Sequence, residues 1–530
     1  MPPSRKSLIP FVVLLLTILI ITGRLYTTNS HPFEKLTMPL NEPFRPQYHF
    51  TPPTMWLNDP NGLVYYEGEY HLFYQHHPGS TVWGPMHWGH AVSPDLVNWQ
   101  HLPIALYPDE IGMIFSGSAV IDWQNTAGFG KEAMVAIFTY HHENNRQSQG
   151  IAYSTDKGRT WTKYAGNPVI PAPANIRNFR DPKVFWYGDP ATGHWVLSLA
   201  AGSAILFYTS PNLIEWEPSG SFGFGYGSTS GVWETPDLFP LPVALPVALP
   251  VDGGPDTRWV LTLGLGGGGP ASGSGTQYFI GHFDGETFTS ENPKNTVLWA
   301  DFGADYYAAQ SWSDEPNGRR LMIGWMNNWQ YANVIPTGTW RGAFTLPREL
   351  FLTHTEDGIR LVQQPIPELQ TLRTNHRHAE DLQLTSSLQY PLQNLQLEIL
   401  ADIQINPNTD RFGLRLHTCE GEQTTIGYAI KDRRLYVDRS AAGIASFNSE
   451  FAKLHLAHLP LLDGDRIRLH LFVDNSSVEV FANDGTVVMT EQIFPCGQAD
   501  HLELFVEGGD VTVNTLDIYE LKAASFYVDR

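Results

Sequence analysis

The chain has 530 residues, more than one ordinary hydrophobic core accommodates, so two domains are expected. With 42% hydrophobic and 16% charged residues, its composition is that of a globular protein and not of a disordered one. The net charge of −21 argues against a nucleic-acid partner, because neutralising phosphates requires clustered Lys and Arg.

The N-terminus has the layout of a secretory signal peptide. Arg5 and Lys6 precede an apolar run over 9–21, which polar residues follow. The run is short for a bilayer span, and no small-residue cleavage site is evident, so an uncleaved membrane anchor is the alternative. We therefore assign 1–30 to a signal peptide or N-terminal anchor and predict a secreted, extracellular protein.

Short aromatic-rich runs between turns predict an all-β protein. A polar turn followed by an aromatic residue recurs roughly every 55 to 70 residues, the period of a four-stranded blade. The copies lie at 93–99, 154–161, 210–216 and, in degenerate form, 283–288. The span 46–350 then holds about five such units, which predicts a five-bladed β-propeller.

The amino-acid composition changes after residue 350, and tryptophan does not occur beyond Trp340. We interpret 351–375 as a linker and 376–530, with its evenly spaced alternating runs, as a β-sandwich. The two cysteines, Cys419 and Cys496, are too few for a disulfide scaffold, and whether they pair is left open. No CxxC motif or zinc-type cluster is evident, so no metal and no cofactor is expected.

A four-residue unit, Leu-Pro-Val-Ala, is duplicated within 241–252. Proline at every fourth position disfavours a central strand. We therefore expect an extended surface loop here, close to the acidic motif that precedes it.

Three segments combine a carboxylate with aromatic or turn-forming neighbours. They contain Asp59 (55–62), Asp181 (179–183) and Glu234 (231–237). Asp181 follows Asp59 by 122 residues and Glu234 follows Asp181 by 53, or about two blades and one blade. We predict that the three occupy equivalent positions on inner strands and meet at the propeller axis.

Such a trio suits glycoside hydrolysis, which needs a general acid at the leaving oxygen and a carboxylate facing the anomeric centre. The acid must retain its proton near neutral pH, and Trp233 could supply an apolar wall for Glu234. Arg180 would keep Asp181 ionised, which suits binding of sugar hydroxyls. The alternative is that these segments are only turns, since Asp-Pro and Asn-Gly are common turn pairs.

These motifs resemble those of glycoside hydrolase family 32, the levanase, inulinase and invertase family. Further segments that match the family are 83–90, 115–118, 336–350 and 474–481. The similarity runs from about residue 46 to the end of the chain and looks strongest toward bacterial levanases. It implies a five-bladed propeller followed by a β-sandwich.

The resemblance also implies roles. Asp59 would be the nucleophile, Glu234 the acid/base and Asp181 the transition-state stabiliser of a retaining enzyme that releases fructose from levan, inulin or sucrose. The expected substrate-binding residues are Trp56, Asn58, Gln75, Trp83, Phe115, Ser116, Arg180, Trp325 and Trp329, although Trp325 and Trp329 could equally be core residues.

Two departures from the family pattern are visible. Thr235 stands where many relatives carry Cys, which could shift the pH optimum. Leu57 stands where Met is common in the family. This difference is expected to have no effect on function, because the two side chains have nearly the same volume.

The sequence leaves alternatives open. A fructosyltransferase on the same scaffold is the nearest, and a non-catalytic sugar-binding propeller is a more distant one. Linkage preference, exo or endo action and oligomeric state are not determined by the sequence.

Overall fold

A computed structural model describes residues 35–244, 256–419, 421–497 and 501–529. The predicted signal or anchor segment (1–30) and most of the Leu-Pro-Val-Ala repeat lie outside these residues. Within them the chain forms 36 strands and three 3-10 helices, and no helix there is long and apolar enough to cross a membrane. The predicted all-β class is confirmed.

Strand β1 (Lys35–Thr37) precedes five antiparallel blades. Blade I comprises β2 (Met55–Tyr66), β3 (Glu69–His77), β4 (His87–Ser93) and β5 (Trp99–Leu106). Blade II comprises β6 (Met113–Asp122), β7 (Ala133–His141), β8 (Gln147–Ser154) and β9 (Thr162–Lys163). Blade III comprises β10 (Phe179–Tyr187), β11 (His194–Ala201), β12 (Ile205–Ser210) and β13 (Glu217–Phe222).

Blade IV comprises β14 (Trp233–Ala244), β15 (Thr257–Leu265), β16 (Gly275–Phe283), β17 (Phe288–Ser290) and the short β18 (Leu298–Trp299). Blade V comprises β19 (Tyr307–Ser311), β20 (Leu321–Trp325), β22 (Arg348–Thr355) and β23 (Gly358–Pro365). Strand β21 (Trp340–Arg341) lies between β20 and β22 in the chain. It pairs in parallel with β2 and so joins the end of the propeller to its beginning. The inner strands β2, β6, β10, β14 and β19 contact one another in a ring.

The segment predicted as a linker, 351–375, is mostly blade structure. It contains most of β22 and all of β23, which form a hairpin over the Glu356-Asp357 turn. A 3-10 helix (Pro367–Leu372) follows and leads directly into the sandwich. Buried positions alternate with more exposed ones along β22, which is the signal that marks this strand.

The first Leu-Pro-Val-Ala unit is also strand and not loop. Residues 241–244 form the outer end of β14, with Leu241 and Val243 buried and Pro242 exposed at a position that does not interrupt the core. Val243 also pairs in parallel with Leu352 of β22, which joins blades IV and V. At about 3.3 Å per residue these residues lie roughly 23–33 Å along the strand from Glu234, so the expected proximity to that residue does not hold for the described part.

The C-terminal domain packs two six-stranded sheets around one apolar core. The first sheet contains β24 (Arg373–Leu384), β35 (Val511–Leu521), β26 (Leu397–Ile405), β31 (Arg466–Asp474), β32 (Ser477–Ala482) and β33 (Val487–Gln492) in that order. The second contains β25 (Leu388–Pro391), β34 (His501–Glu507), β27 (Arg411–His417), β28 (Gln423–Ala429), β29 (Arg434–Ala441) and β30 (Leu454–His458). A third 3-10 turn spans Asn483–Gly485, and Ala332–Val334 forms another in blade V.

Cys419 and Cys496 form a disulfide that connects two loops of the sandwich. The tail of the chain then leaves this domain. Strand β36 (Phe526–Asp529) pairs in parallel with β5 of blade I and antiparallel with β1. The last residues of the segment predicted as sandwich therefore belong to the edge of the propeller.

Candidate active site

The inner strand of every blade has a β-bulge at the same level. The register shifts lie between Leu57/Pro60, Ile114/Gly117, Arg180/Lys183, Glu234/Asp237 and Tyr307/Gln310. A bulge places two residues opposite one and re-aims their side chains. The repetition of this bulge directs residues from all five blades toward one end of the axis.

The three carboxylates meet at these bulges, but at non-equivalent positions. Glu234 is the last paired residue before its bulge, Asp181 is the first bulged residue and Asp59 is the second. The prediction of equivalent positions is therefore wrong by one or two residues. The offset lets three acids from different strands present their carboxyl groups at different heights around one cavity.

Asp59 is held by two donors on separate oxygens. Ser116 Oγ donates to Oδ2 at 2.6 Å, and Asn58 Nδ2 donates to Oδ1 at 3.0 Å. Burial raises the pKa of Asp59 to about 6, an effect that the charge of Glu234 increases and the two donors oppose. Asn58 is itself oriented by Trp56, whose Nε1 donates to its Oδ1 at 2.7 Å.

Asp181 is the most buried of the three carboxylates and adopts a left-handed backbone (φ 66°). Its Oδ2 accepts a hydrogen bond from the backbone N–H of Thr235 at 2.9 Å, and its own N–H donates to Thr139 Oγ1 at 3.0 Å. Burial raises the pKa of Asp181 to about 7, against the opposing charge of Arg180 and with a contribution from Glu234.

Glu234 accepts hydrogen bonds at both oxygens. Arg180 donates to Oε1 through Nε at 3.1 Å and also through Nη2, and the Tyr307 hydroxyl donates to Oε2. Arg180 Nε is 3.8 Å from Asp181 Oδ2. The guanidinium therefore pairs first with Glu234, and burial outweighs its effect on the pKa of Asp181, contrary to the expectation from the sequence.

Trp233 does not form a wall for Glu234. Its ring is fully buried among apolar residues of blades III and IV, and its Nε1 donates to the Ser228 carbonyl at 2.9 Å. Successive residues of a strand point to opposite faces, so the neighbour of Glu234 in sequence turns away from the cavity.

The carboxylates face a cavity of about 610 Å³ at the end of the propeller axis. Ten of the predicted site residues line it: Asn58, Asp59, Gln75, Trp83, Phe115, Ser116, Arg180, Asp181, Glu234 and Trp329. Trp56 and Trp325 do not, since both are fully buried and pack behind Trp329, with ring centroids 6.0 and 4.7 Å from it. These two residues support the site and do not line it.

The cavity also contains residues that the motifs did not indicate: Met113, His141, Asn145, Gln147, Asn178, Tyr307 and Asn333. Gln147 and Asn178 orient Arg180, whose Nη1 donates to their side-chain oxygens at 3.4 and 2.8 Å. Tyr307 lies 73 residues after Glu234, on the next blade, but no motif around it indicated a place in the site.

Three carboxyl groups and an arginine around one cavity fit the site of a glycoside hydrolase, whose reaction needs a proton donor and a second carboxylate. The chain matches the model of the glycosyl hydrolases family 32 N-terminal domain over residues 49–365 and that of the family's C-terminal domain over 368–520. The chain therefore belongs to glycosyl hydrolase family 32, and the predicted hydrolysis of β-fructofuranosides is confirmed.

Individual relatives agree. The chain is 51% identical to a levanase of Bacillus subtilis over 91% of its own length and 71% of the relative's. It is 40% identical to an extracellular exo-inulinase of Aspergillus awamori, covering 91% of this chain and 95% of that one. A crystal structure of exo-inulinase from Aspergillus awamori superposes with a TM-score of 0.84 at 38% identity, over 92% of this chain and 99% of the other.

Proposed function

We propose that this chain is a secreted, exo-acting β-fructofuranosidase that releases fructose from levan, inulin and sucrose with retention of configuration. The observation that supports this most directly is that Asp59 and Glu234 face the same cavity, each held by its own set of donors. A retaining glycosidase needs such a pair, one to attack the sugar and one to move the proton.

Asp59 is the proposed nucleophile. Its two donors hold the carboxylate in one orientation, and a pKa of about 6 leaves it mostly ionised at neutral pH. One Asp59 oxygen attacks the anomeric carbon of the fructosyl group while the bond to the leaving oxygen breaks, which yields a covalent fructosyl-enzyme. Water then attacks the same carbon and releases Asp59.

Glu234 is the proposed acid/base. It gives its proton to the leaving oxygen in the first step and takes one from water in the second. Tyr307 and Arg180 each donate to one of its oxygens, so they fix the carboxyl group and stabilise the carboxylate formed after proton transfer. Glu234 is thus protonated before the first step and ionised after it.

Asp181 is the proposed transition-state stabiliser. With one oxygen bonded to the Thr235 N–H, its other oxygen is available to hydroxyl groups of the fructosyl ring. Bonds of this kind strengthen as positive charge develops on the ring. Gln75 and Asn58 offer further polar groups, while Trp83, Phe115 and Trp329 present apolar surface to the sugar's C–H groups.

The assignment is tested by fructose release from levan, inulin and sucrose by Asp59→Asn and Glu234→Gln. Each substitution is expected to reduce kcat/KM about a thousandfold or more. Asp95→Asn, on an outer turn of blade I, is the matched control and should retain activity. Full activity in either of the first two variants would contradict the assignment.

The two roles are separated with an activated aryl β-fructofuranoside, whose leaving group needs little protonation. The Glu234→Gln variant should then accumulate a covalent fructosyl adduct on Asp59, detectable by mass spectrometry of peptides. An adduct on another residue, or inversion of configuration in the product measured by NMR, would contradict the proposed mechanism.

The proposal of exo action and of hydrolysis over transfer is tested by product analysis. A time course on levan and inulin should show fructose from the first minutes, without intermediate oligosaccharides. At high sucrose, growth of oligosaccharides would instead indicate the transferase, an alternative that the hydrolytic relatives do not support.

Secretion is supported by the apolar N-terminal run and by the extracellular exo-inulinases among the relatives. Fractionation of cells expressing the full chain tests it. Soluble activity in the medium, with a mature N-terminus after residue 21, is expected. Recovery of the intact N-terminus in membranes would show that the segment is an anchor.

A further inference from the structure

Two histidines and an aspartate, none of which lines the active-site cavity, converge on the first sheet of the sandwich. His376 Nε2 lies 2.7 Å from Asp517 Oδ1, and His378 Nδ1 lies 2.8 Å from the same oxygen. A nitrogen from each histidine and a carboxylate oxygen of Asp517 all lie within 4.8 Å of one another. We propose that His376, His378 and Asp517 bind a divalent transition-metal ion of the zinc type.

The strand geometry explains why the three side chains meet. His376 and His378 are two residues apart on β24, so they share a face of the sheet. Asp517 on β35 is the direct cross-strand partner of His378. A register shift between Thr374 and His376 precedes them, and from His376 to Glu380 the pairing is regular. The spacing His-x-His on one strand with a carboxylate on the next is therefore built into the register.

The distances are compatible with an ion after a small opening of the cluster. Donor atoms about 2.05 Å from a tetrahedrally coordinated metal lie roughly 3.3 Å apart. The two nitrogen–oxygen separations are 2.7 and 2.8 Å, so replacing the shared protons by a metal requires each to lengthen by about 0.5–0.6 Å, which exposed side chains allow. Two neutral imidazoles and one carboxylate favour zinc, copper or nickel over calcium or magnesium.

The site is partly preorganised. The His376 ring stacks on Tyr519 at 4.2 Å and 7°, and Tyr519 is contacted by the Arg373 guanidinium at 4.3 Å. Glu380 lies 3.0 Å from the second nitrogen of His378 and would orient that ring through a hydrogen bond, as carboxylates do for metal-bound histidines.

Solvent and ions can reach the position. Both histidine side chains are more than 40% exposed, and Asp517 also lines a cavity of about 580 Å³ between the last blade and the sandwich. Because β24 is an edge strand held only by β35 within its sheet, an ion here would tie this edge to its neighbour. The expectation from the sequence that no metal binds is revised by this proposal.

The other described group of potential ligands does not compete. It contains Cys419, Glu422 and Cys496, but the two sulfurs are joined in a disulfide and offer no thiolate. Of the two groups found among the described residues, the one on the His-x-His strand is therefore the candidate metal site.

Isothermal titration of tag-free, EDTA-treated full-length protein with ZnCl₂ is the first test. The wild type should bind one ion saturably, and His376→Gln, His378→Gln and Asp517→Asn should each weaken binding at least about tenfold. His282→Gln is the matched control, since that exposed histidine pairs with Glu291 and belongs to no group of potential metal ligands among the described residues. The affinity of this variant for zinc should equal that of the wild type. Absence of saturable binding, or equal affinity in all variants, would overturn the proposal.

A second test uses the wild type alone, so it does not depend on whether the variants fold. Electron paramagnetic resonance is recorded after addition of one equivalent of CuCl₂. Splitting by two imidazole nitrogens is expected, and a signal with none or one would contradict the ligand set. Zinc should also raise the thermal midpoint of the wild type and leave that of His378→Gln unchanged. Fructose release is not part of either readout, so these results are distinct from a failure of the proposed function.

Discussion

Arg439 of the sandwich donates from Nη1 to Asp305 Oδ2 of the propeller at 2.6 Å, and both side chains are fully buried. Arg439 Nη2 also donates to the Tyr331 hydroxyl at 2.8 Å, which in turn donates to Asp305 Oδ1 at 2.7 Å. Asp305 lies two residues before Tyr307, and Tyr331 lies two residues after Trp329. The sandwich therefore holds two segments that line the active-site cavity.

Replacing Arg439 by Met should destabilise the protein by about 3–5 kcal/mol, because Asp305 would be left as a buried charge without its cation and Glu491 would keep its contact with His455 but lose that with Arg439. Urea unfolding measures the loss, and kcat/KM for sucrose should fall as Tyr307 is displaced. The control is Arg468→Met, which removes a half-exposed pair with Asp484 and should cost less than about 1 kcal/mol. Equal stability of the two variants would contradict this role.

The acid limb of the pH–activity profile should reflect Asp59. Since the nucleophile must be ionised and its pKa is about 6, kcat/KM should fall as the pH drops through that value. Ser116→Ala removes a donor that stabilises the carboxylate and should move this limb upward by about one pH unit. Ser118→Ala, whose hydroxyl donates to the Pro182 carbonyl, is the control and should leave the limb in place.

The buried carboxyl of Asp181 should cost stability at neutral pH. Its folded-state pKa of about 7 exceeds the ordinary 3.8, so its contribution is fully present below pH 3.8 and is lost as the pH rises through 7. Asp181→Asn removes this titration. At about 1.4 kcal/mol per pKa unit, the variant should be more stable than the wild type by a few kcal/mol at pH 8 and by little at pH 4.

Thermal unfolding at the two pH values measures the difference. Asparagine also tolerates the left-handed backbone at this position and can accept the bond from Thr235. A variant that is less stable than the wild type at pH 8 would show that burial of the ionised Asp181 carboxylate does not destabilise the folded protein.

His49 should stabilise the domain interface as a cation. It lies between Asp474 and Glu479 of the sandwich, at 2.8 and 3.0 Å, and hydrogen bonds to these acids raise its pKa to about 9 against the effect of burial. Its contribution is fully present below pH 6.5 and is lost as the pH rises through 9. The wild type should therefore lose about 3 kcal/mol of stability over that window.

His49→Gln should be less stable than the wild type at pH 7 and should lose this part of the alkaline dependence. Chemical unfolding at pH 7 and pH 10 gives both quantities. His354→Gln, at an exposed position of blade V, is the control and should behave as the wild type does. An unaltered pH dependence in His49→Gln would mean that another group carries it.

Much of the fold was predictable because its signals are local and repeated. The turn-plus-aromatic unit marks the first four blades, and strand alternation marks the sandwich. The error at 351–375 arose because a hairpin without tryptophan differs in composition from the earlier blades, although its pairing is regular. The terminal strand β36 was not predictable, since nothing near Phe526 indicates that its partner is β5.

The sequence by itself determined the class of protein and the three acids, because Asp59, Asp181 and Glu234 sit in short motifs whose blade spacing brings them to one axis. Only the tertiary structure decided how these acids are partnered. Which donor reaches Glu234 depends on side chains from three blades, and neither Tyr307 nor Arg180 carries that information locally. The same holds for His376, His378 and Asp517, since a strand register joins residues about 140 positions apart that no sequence pattern connects.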